Sequence, residues 1–378
     1  MNLNEREMSS LFQAVFPKLE DDRQIALLVD LPDDKEEDNS PWALRRKIAY
    51  EWFLLLQEIK SELQIDHVDL IVYRNVKSNN ADLPCEMYIW NKETPSTFPN
   101  EELPQSTSIE DVFGKYQIFL VLSEYSATAP MKIAAKKYHF RAATMSGFSS
   151  DMLPALRIDY ELVNKRLLQL KELLDAAHTL CLTFSVDDKS FSMKFDLRST
   201  TAHVSGGRFP TAGMVGNLPS GETYIVPNET PQSQSEGVLP VQFDDEVVLY
   251  EIKHNKVVNV ISSGRFSEIE REHLQKEPAY GNIAELGFGI LRDFGISPIG
   301  EVLLDEKLGF HIAFGRSDHF GGLVGPQHFS SPQQVVHIDY VYIPETQPRV
   351  SVDKMELVFA EKSQTIMNHN EYSLWEKP

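Results

Sequence analysis

Short apolar runs alternate with an amphipathic helix in the first part of the chain. Residues 25–30 (IALLVD) and 67–73 (HVDLIVY) are apolar runs of the length that buried strands have. Between them, apolar side chains recur at three- and four-residue steps over 42–63, which predicts an amphipathic helix. Two further strands are predicted at 116–125 and 140–145. Strand, helix and strand in this order favour a parallel sheet, because a parallel pair needs a crossover connection.

The pattern changes after a helix predicted over 159–177. Residues 179–198 alternate between polar and apolar side chains around a central turn, which is typical of a β-hairpin, and short β-rich stretches follow. We therefore predict an α/β fold with two domains. Residues 1–178 form an α/β domain with a mainly parallel sheet, and residues 179–378 form a β-rich α+β domain that carries the chemistry. The proline-rich residues 94–108 predict a surface loop.

Composition and charge narrow the range of partners. The 378 residues carry a net charge of -20 and have a pI of about 5.0, which disfavours nucleic acid and anionic membranes as partners. The sequence shows neither a signal-peptide pattern nor an apolar run long enough for a membrane helix, and Cys85 and Cys181 form no CxxC motif. These features predict a cytoplasmic protein.

Imidazole and carboxylate side chains are concentrated in the last third of the chain. His337 and Asp339 are two apart in a strand pattern, so they project from the same face, and His311 begins another strand-like run. Glu285 lies among apolar residues, where an unpaired carboxylate would be costly, and Glu222 follows a turn. These are ligand types for zinc, manganese, cobalt or iron, although each residue alone also fits a structural role.

Several loop residues are candidates to complete such a site. Asp318 and His319 lie in a glycine-containing loop between the two histidine strands, where Asp318 is a candidate ligand and His319 a candidate for ligand or substrate binding. Arg198, Arg208 and Arg316 also lie in predicted loops near the motifs. An arginine can bind a peptide carboxylate through two hydrogen bonds, and the simpler alternative for each is a surface salt bridge.

Four motifs resemble segments of the aminopeptidase T and aminopeptidase S-like metallopeptidases. These motifs agree with that family in order and in approximate spacing: NLPSGETYIVP, AELGFGI, LLDEKLGFHIAFG and HID. The strand FSMKFDLR ahead of them also looks like its counterpart, and the resemblance covers roughly residues 115–345.

The resemblance implies a dimeric exopeptidase that removes N-terminal residues from peptides with two divalent ions, zinc, cobalt or manganese. Carried over by motif, the metal ligands are Glu222, Glu285, His311, His337 and Asp339. Paired metal ions activate a bridging water, and either Glu222 or Glu285 would take its proton.

One departure from the family leaves two alternatives open. The family has a tyrosine seven residues after the first histidine, where this chain has Asp318. Ring-cleaving dihydroxypyridine dioxygenases are similar in fold to this family and hold one Fe(II) with a His…His-x-Asp set. In this chain the corresponding residues are His311, His337 and Asp339. The other alternative is a non-catalytic protein that binds peptides in the cleft that serves as the active site in the family.

Overall fold

The structure is a computed structural model, and it describes residues 2–95 and 106–376. The loop predicted at 94–108 therefore lies mostly outside the described residues. The chain divides into two compact units, Met1–Asn164 with Gly207–Ser220 and Lys165–Gly206 with Gly221–Pro378.

This division differs from the single boundary that the sequence predicted after residue 178. It falls inside the helix Tyr160–Ala176, and Gly207–Ser220 belongs with the first unit because the strand Val215–Asn217 pairs with Arg141–Thr144 there.

The first unit contains a seven-stranded sheet flanked by helices. Its strands follow the order β10-β6-β5-β1-β2-β3-β4, in which β10, β6, β5, β1 and β2 are parallel and β3 and β4 are antiparallel additions. The bounds of the strands are β1 (Gln24–Leu31), β2 (His67–Arg74), β3 (Glu86–Trp90), β4 (Ser106–Ser108), β5 (Ile118–Leu122), β6 (Arg141–Thr144) and β10 (Val215–Asn217). The predicted α/β class with a mainly parallel sheet is thus confirmed.

Three helices of the first unit begin after a capping side chain, namely Asn4, Asn39 or Ser108, whereas the helix that begins at Thr128 has no side-chain cap. α2 begins at Ser40 because the Asn39 side chain accepts a hydrogen bond from the Trp42 backbone N–H, and Pro41 fits the first turn. The helix bounds are α1 (Glu5–Val15), α2 (Ser40–Ile59), α3 (Ile109–Lys115) and α4 (Thr128–Tyr138), and α5 (Tyr160–Ala176) spans the division between the units.

The second unit is β-rich, as predicted, and contains two antiparallel sheets. The larger has the order β14-β13-β12-β8-β7-β18-β19-β20, and the smaller has the order β17-β16-β15-β11-β9. The helices are α6 (Arg265–Lys276) and the short α7 (Val302–Asp305). The strand bounds are β7 (Thr179–Val186), β8 (Lys189–Asp196), β9 (His203–Ser205), β11 (Glu222–Ile225), β12 (Glu236–Phe243), β13 (Glu246–Lys253), β14 (Lys256–Val260), β15 (Ile283–Gly289), β16 (Phe310–Gly315), β17 (His337–Val341), β18 (Val350–Val358), β19 (Ser363–Asn368) and β20 (Glu371–Tyr372).

Alternation along the smaller sheet separates a core face from a polar face. Leu286 and Phe288 of β15 and Ile312 and Phe314 of β16 belong to the hydrophobic core of the second unit, which also includes apolar side chains of the larger sheet. Each fully buried side chain of this size contributes about 1.5–3 kcal/mol through the hydrophobic effect. Because side chains alternate, the residues between them project from the opposite face of the sheet, and this face carries the candidate site.

Candidate metal centre

The five predicted ligands meet on one face of the smaller sheet. Glu222 begins β11, Glu285 lies on β15, His311 on β16, and His337 and Asp339 on β17, and these four strands are neighbours in that order. A one-residue bulge in β15 shifts the register just before Glu285, so that this residue pairs with Ala313 of β16. Residues far apart in the sequence therefore come together because the strands that carry them are adjacent.

Glu285 lies between the two histidines. Its Oε1 is 3.7 Å from His311 Nε2, and its Oε2 is 3.1 Å from His337 Nε2. Asp339 Oδ1 is also shared, at 3.6 Å from His337 Nε2 and 4.0 Å from His311 Nε2. Glu222 Oε2 lies 3.6 Å from His311 Nε2.

The side chains form two overlapping sets of potential ligands, and Glu285 belongs to both. We call Glu222, Glu285 and His311 the Glu222 group, and Glu285, His337 and Asp339 the His337 group; in each, the ligand atoms lie within 4.8 Å of one another. Either group has the nitrogen and oxygen donors that zinc, manganese, cobalt and iron accept.

Two features of the site fit a bound cation. Glu222 Oε2 is buried and makes no hydrogen bond to a described residue, because His311 Nε2, its ion-pair partner, is 3.6 Å away and beyond hydrogen-bond distance. His337 Nδ1 lies 2.7 Å from the backbone carbonyl of Arg316, to which a protonated Nδ1 would donate a hydrogen bond. The other ring nitrogen, Nε2, faces the carboxylates. A hydrogen bond of this kind commonly orients a metal-binding histidine.

Electrostatics in the centre favour a charged Glu285 and protonated imidazoles, whereas burial raises the pKa of Glu222 against the opposing effect of Lys307 and His311. Burial opposes the charged form of Glu285, but hydrogen bonds from His311 and His337 outweigh it, so the pKa of Glu285 lies below its ordinary value. Burial likewise disfavours protonated His311, yet Glu285, Glu222 and Asp339 raise its pKa to about 9. The pKa of His337 is raised well above its ordinary value by Asp339 and Glu285, against the effect of burial. The imidazoles therefore act as the cations that balance the acids here, and a metal ion would replace their protons.

Lys307 and Glu306 are part of the centre, although the sequence patterns assigned them no role. Lys307 is 2% exposed, and its Nζ donates hydrogen bonds to Glu222 Oε1 at 2.5 Å and to Glu306 Oε1. Burial raises the pKa of Glu306 to about 7, while Lys307 opposes this shift. Both residues lie in the run DEKLG just before β16, which reads as a solvated charged turn, so only the folded structure shows that the lysine points inward.

Asp318 lies outside both groups. It accepts a 2.5 Å hydrogen bond from Arg316 Nε, and both side chains are about one-third exposed, at 34% and 36%. Arg316 was predicted to bind substrate and Asp318 to bind metal, but in the structure the two side chains pair with each other. His319 is close to the centre, because its ring lies 5.1 Å from the His337 ring in an edge-on arrangement. Burial and the neighbouring His337 lower the pKa of His319 to about 4.

The two remaining arginines lie in different units. Arg208 belongs to the first unit, where it donates to the Ala14 carbonyl and to Glu161. Arg198 belongs to the second unit and forms two hydrogen bonds with Asp196, at 2.8 and 2.7 Å.

A cavity of about 510 Å³ lies beside the centre in the second unit, and it is lined by residues that include Arg198, His203, Glu229, Phe320 and Leu323. The ring of Phe320 connects the cavity to the centre, since it lies 5.3 Å from the His337 ring and 4.8 Å from the Tyr224 ring.

Comparison with known proteins shows a fold but no family. No family model and no curated protein matches the chain. Among solved structures, the 2,5-dihydroxypyridine dioxygenase of Pseudomonas putida KT2440 is similar over 99% of each chain, with a TM-score of 0.61 and 14% sequence identity. The likeness establishes a common fold, and at this identity it carries no statement about activity. Within the described part of the chain, no helix has the length and apolar character needed to cross a membrane.

Proposed function

We propose that this protein is a divalent-metal-dependent enzyme whose centre consists of Glu222, Glu285, His311, His337 and Asp339. The arrangement of Glu285 carries the proposal, because its two oxygens face two different histidines. Glu222, Glu285 and His311 are buried, and His337 and Asp339 are half-buried. Together they form a donor set on four adjacent strands that a cation would complete, since Glu222 Oε2 makes no hydrogen bond to a described residue.

The protein's own residues would hold and shield the reacting groups. The sheet fixes the donor atoms, since each belongs to a strand whose other face is packed in the core. Phe320 and His319 contact the His337 ring and restrict access of water from that side. A divalent ion, when bound, would supply Lewis acidity and lower the pKa of bound water, or bind O₂ if it is iron. The adjoining cavity would hold the body of a small-molecule or peptide substrate.

The fold comparison supports an oxygenase as the first reaction class. The similar solved structure is a dioxygenase, and His311, His337 and Asp339 provide the two-histidine, one-carboxylate set that non-haem Fe(II) oxygenases use. In this case the substrate would be a hydroxylated aromatic ring, Glu285 would be a further oxygen ligand beside these three residues, and Glu222 would act through its charge.

A hydrolase is the second reaction class, and the donor set favours it. Glu285 belongs to both ligand groups, and Glu222 adds a third carboxylate, which is more than one Fe(II) requires. Two ions held in this way suit metal-assisted hydrolysis, including the aminopeptidase reaction that the sequence resemblance implies. The dimer that the resemblance implies stays a prediction.

Reconstitution with defined metals tests the function and separates the two classes. Metal-free protein would be loaded with Fe(II) under anaerobic conditions, or with Zn²⁺, Co²⁺ or Mn²⁺. O₂ consumption with dihydroxylated pyridines, or amino-acid release from peptides, would then be measured. Each activity should require metal and be lost in Glu285→Gln, while Glu268→Gln, at an exposed position of α6, serves as the matched control. If no reconstituted form turns over either substrate class, both reaction classes proposed here are wrong.

A further inference from the structure

Lys307 places a permanent positive charge at one end of the candidate metal centre. Its ammonium group is buried and is bonded to Glu222 Oε1 and to Glu306. A buried ammonium is stable only when it is paired and hydrogen-bonded, so these carboxylates keep Lys307 charged and fixed. The charge of Glu222 is therefore balanced in part before any metal ion arrives.

At the other end of the centre, the carboxylates pair with imidazoles and not with an ammonium group. The ion-pair partners of Asp339 are His337 and His311, and those of Glu285 are the same two imidazoles. An imidazole nitrogen is itself a metal ligand, whereas a lysine ammonium has no lone pair and can only compete with a metal ion for the carboxylate that it contacts. The two ligand groups therefore attract a cation unequally, because the Coulomb interaction inside a buried site is strong.

From this asymmetry we propose that Lys307 makes the two cation positions unequal, so that the His337 group fills first and tightly and the Glu222 group binds a second ion weakly. The inference rests on the proposed metal centre and sharpens it. At low metal concentration the centre would hold one ion, with Lys307 neutralising Glu222. A second ion would bind only at higher metal concentration. Its ligands would be Glu222, through Oε2, together with His311 and Glu285.

Metal titration of the full chain tests this directly. Chelator-treated protein would be titrated with Mn²⁺, and electron paramagnetic resonance would measure the free ion. A second titration with Co²⁺ would be followed by visible absorbance. Wild type should show two steps whose dissociation constants differ at least tenfold. Lys307→Met, which removes the charge but keeps an extended side chain, should tighten the second step at least tenfold and leave the first within roughly threefold. Lys307→Arg, which retains the charge, is the matched control and should keep the steps separate.

The opposite result would overturn the inference. If Lys307 only holds Glu222 in position, Lys307→Met should weaken the second step instead of tightening it. Unchanged steps in Lys307→Met, or two equally tight steps in wild type, would equally contradict the proposal.

Two further variants keep the test valid if Lys307→Met does not fold, because they leave Lys307 in place. Glu222→Gln should lose only the weak step, and Asp339→Asn should lose the tight one; the reverse assignment would overturn the inference. Absence of any metal binding in wild type would instead refute the proposed function itself, so the two failures are distinguishable.

Discussion

Gly287 of β15 faces His311 of β16 as its register partner, and the histidine ring occupies the space where a side chain would be. A Cβ atom placed on Gly287 would lie 1.9 Å from His311 Nε2, far inside any real contact distance. The backbone of β15 has ordinary strand conformation here, so the glycine is explained by the close approach of the ring rather than by a turn.

Gly287→Ala should therefore displace His311 and weaken metal binding. We expect at least a tenfold loss of affinity, equivalent to about 1.4 kcal/mol, since one nitrogen donor would move. Gly114→Ala is the matched control because a Cβ at that helical position meets nothing within 4 Å. Isothermal titration of both variants with Zn²⁺ would check this, and equal affinities would show that the His311 ring does not bind the ion.

The stability of the metal-free protein should fall as the pH rises. The folded protein raises the pKa of His311 to about 9, from an ordinary value of 6.5. Its stabilising contribution is therefore complete below pH 6.5 and is lost as the pH rises through about 9. His337 adds to the same trend, because its pKa is also raised.

Denaturant unfolding of chelator-treated protein between pH 6 and 9.5 would measure this loss. His311→Gln should flatten the decline, since glutamine does not titrate. A stability that is constant or rises over this window in wild type would contradict the charge balance described for the centre.

Asp318→Ala should leave the metal content unchanged. Asp318 pairs with Arg316 and belongs to neither ligand group, and pairs as exposed as this one contribute about 0–1 kcal/mol to stability. Elemental analysis would compare this variant with His337→Ala, which removes a donor and should lose metal. A loss in Asp318→Ala as large as in His337→Ala would restore Asp318 to the ligand set that the sequence predicted.

A tyrosine network behind the centre should affect stability rather than metal binding. Glu270 accepts hydrogen bonds from Tyr250 and Tyr280, each at 2.8 Å, and Tyr280 also bonds to Tyr340 at 2.8 Å. Tyr280→Phe would remove one buried and one partly buried hydrogen bond, so the free energy of unfolding should fall by about 1–3 kcal/mol.

Urea denaturation and metal analysis would separate these effects. Tyr50→Phe is a suitable control, because no hydrogen bond of its hydroxyl is found in the described structure. If Tyr280→Phe lost metal without losing stability, the network would have to be assigned to the centre itself.

Local patterns predicted the strands and the ligand types, but not how the strands assemble. The strand-like run predicted at His311 is β16, where Phe310 and Ile312 pack in the core and His311 projects from the opposite face. The order of β11, β15, β16 and β17 in the sheet depends on pairing between distant segments, which no local pattern encodes.

Local sequence patterns also did not predict in which direction individual charged side chains point. Lys307 and Asp318 both lie in short charged segments that read alike, yet the first points into the centre and the second toward Arg316. Arg208 lies within fifteen residues of Glu222 in the sequence but belongs to the other unit, because β10 returns to the first sheet. The sequence did not predict this division, because it depends on strand pairing between distant segments.

Glu285 belongs to both ligand groups of the proposed divalent-metal centre, and metal content after reconstitution is the direct test of this role. Wild type, Glu285→Gln and the surface control Glu268→Gln would be loaded with Fe(II), Zn²⁺, Co²⁺ or Mn²⁺, passed through a desalting column and measured by elemental analysis. We predict at least about one ion per chain in wild type and control and little metal in Glu285→Gln, since ligand loss weakens binding strongly. No retained metal in wild type, or equal metal in Glu285→Gln, would contradict the account.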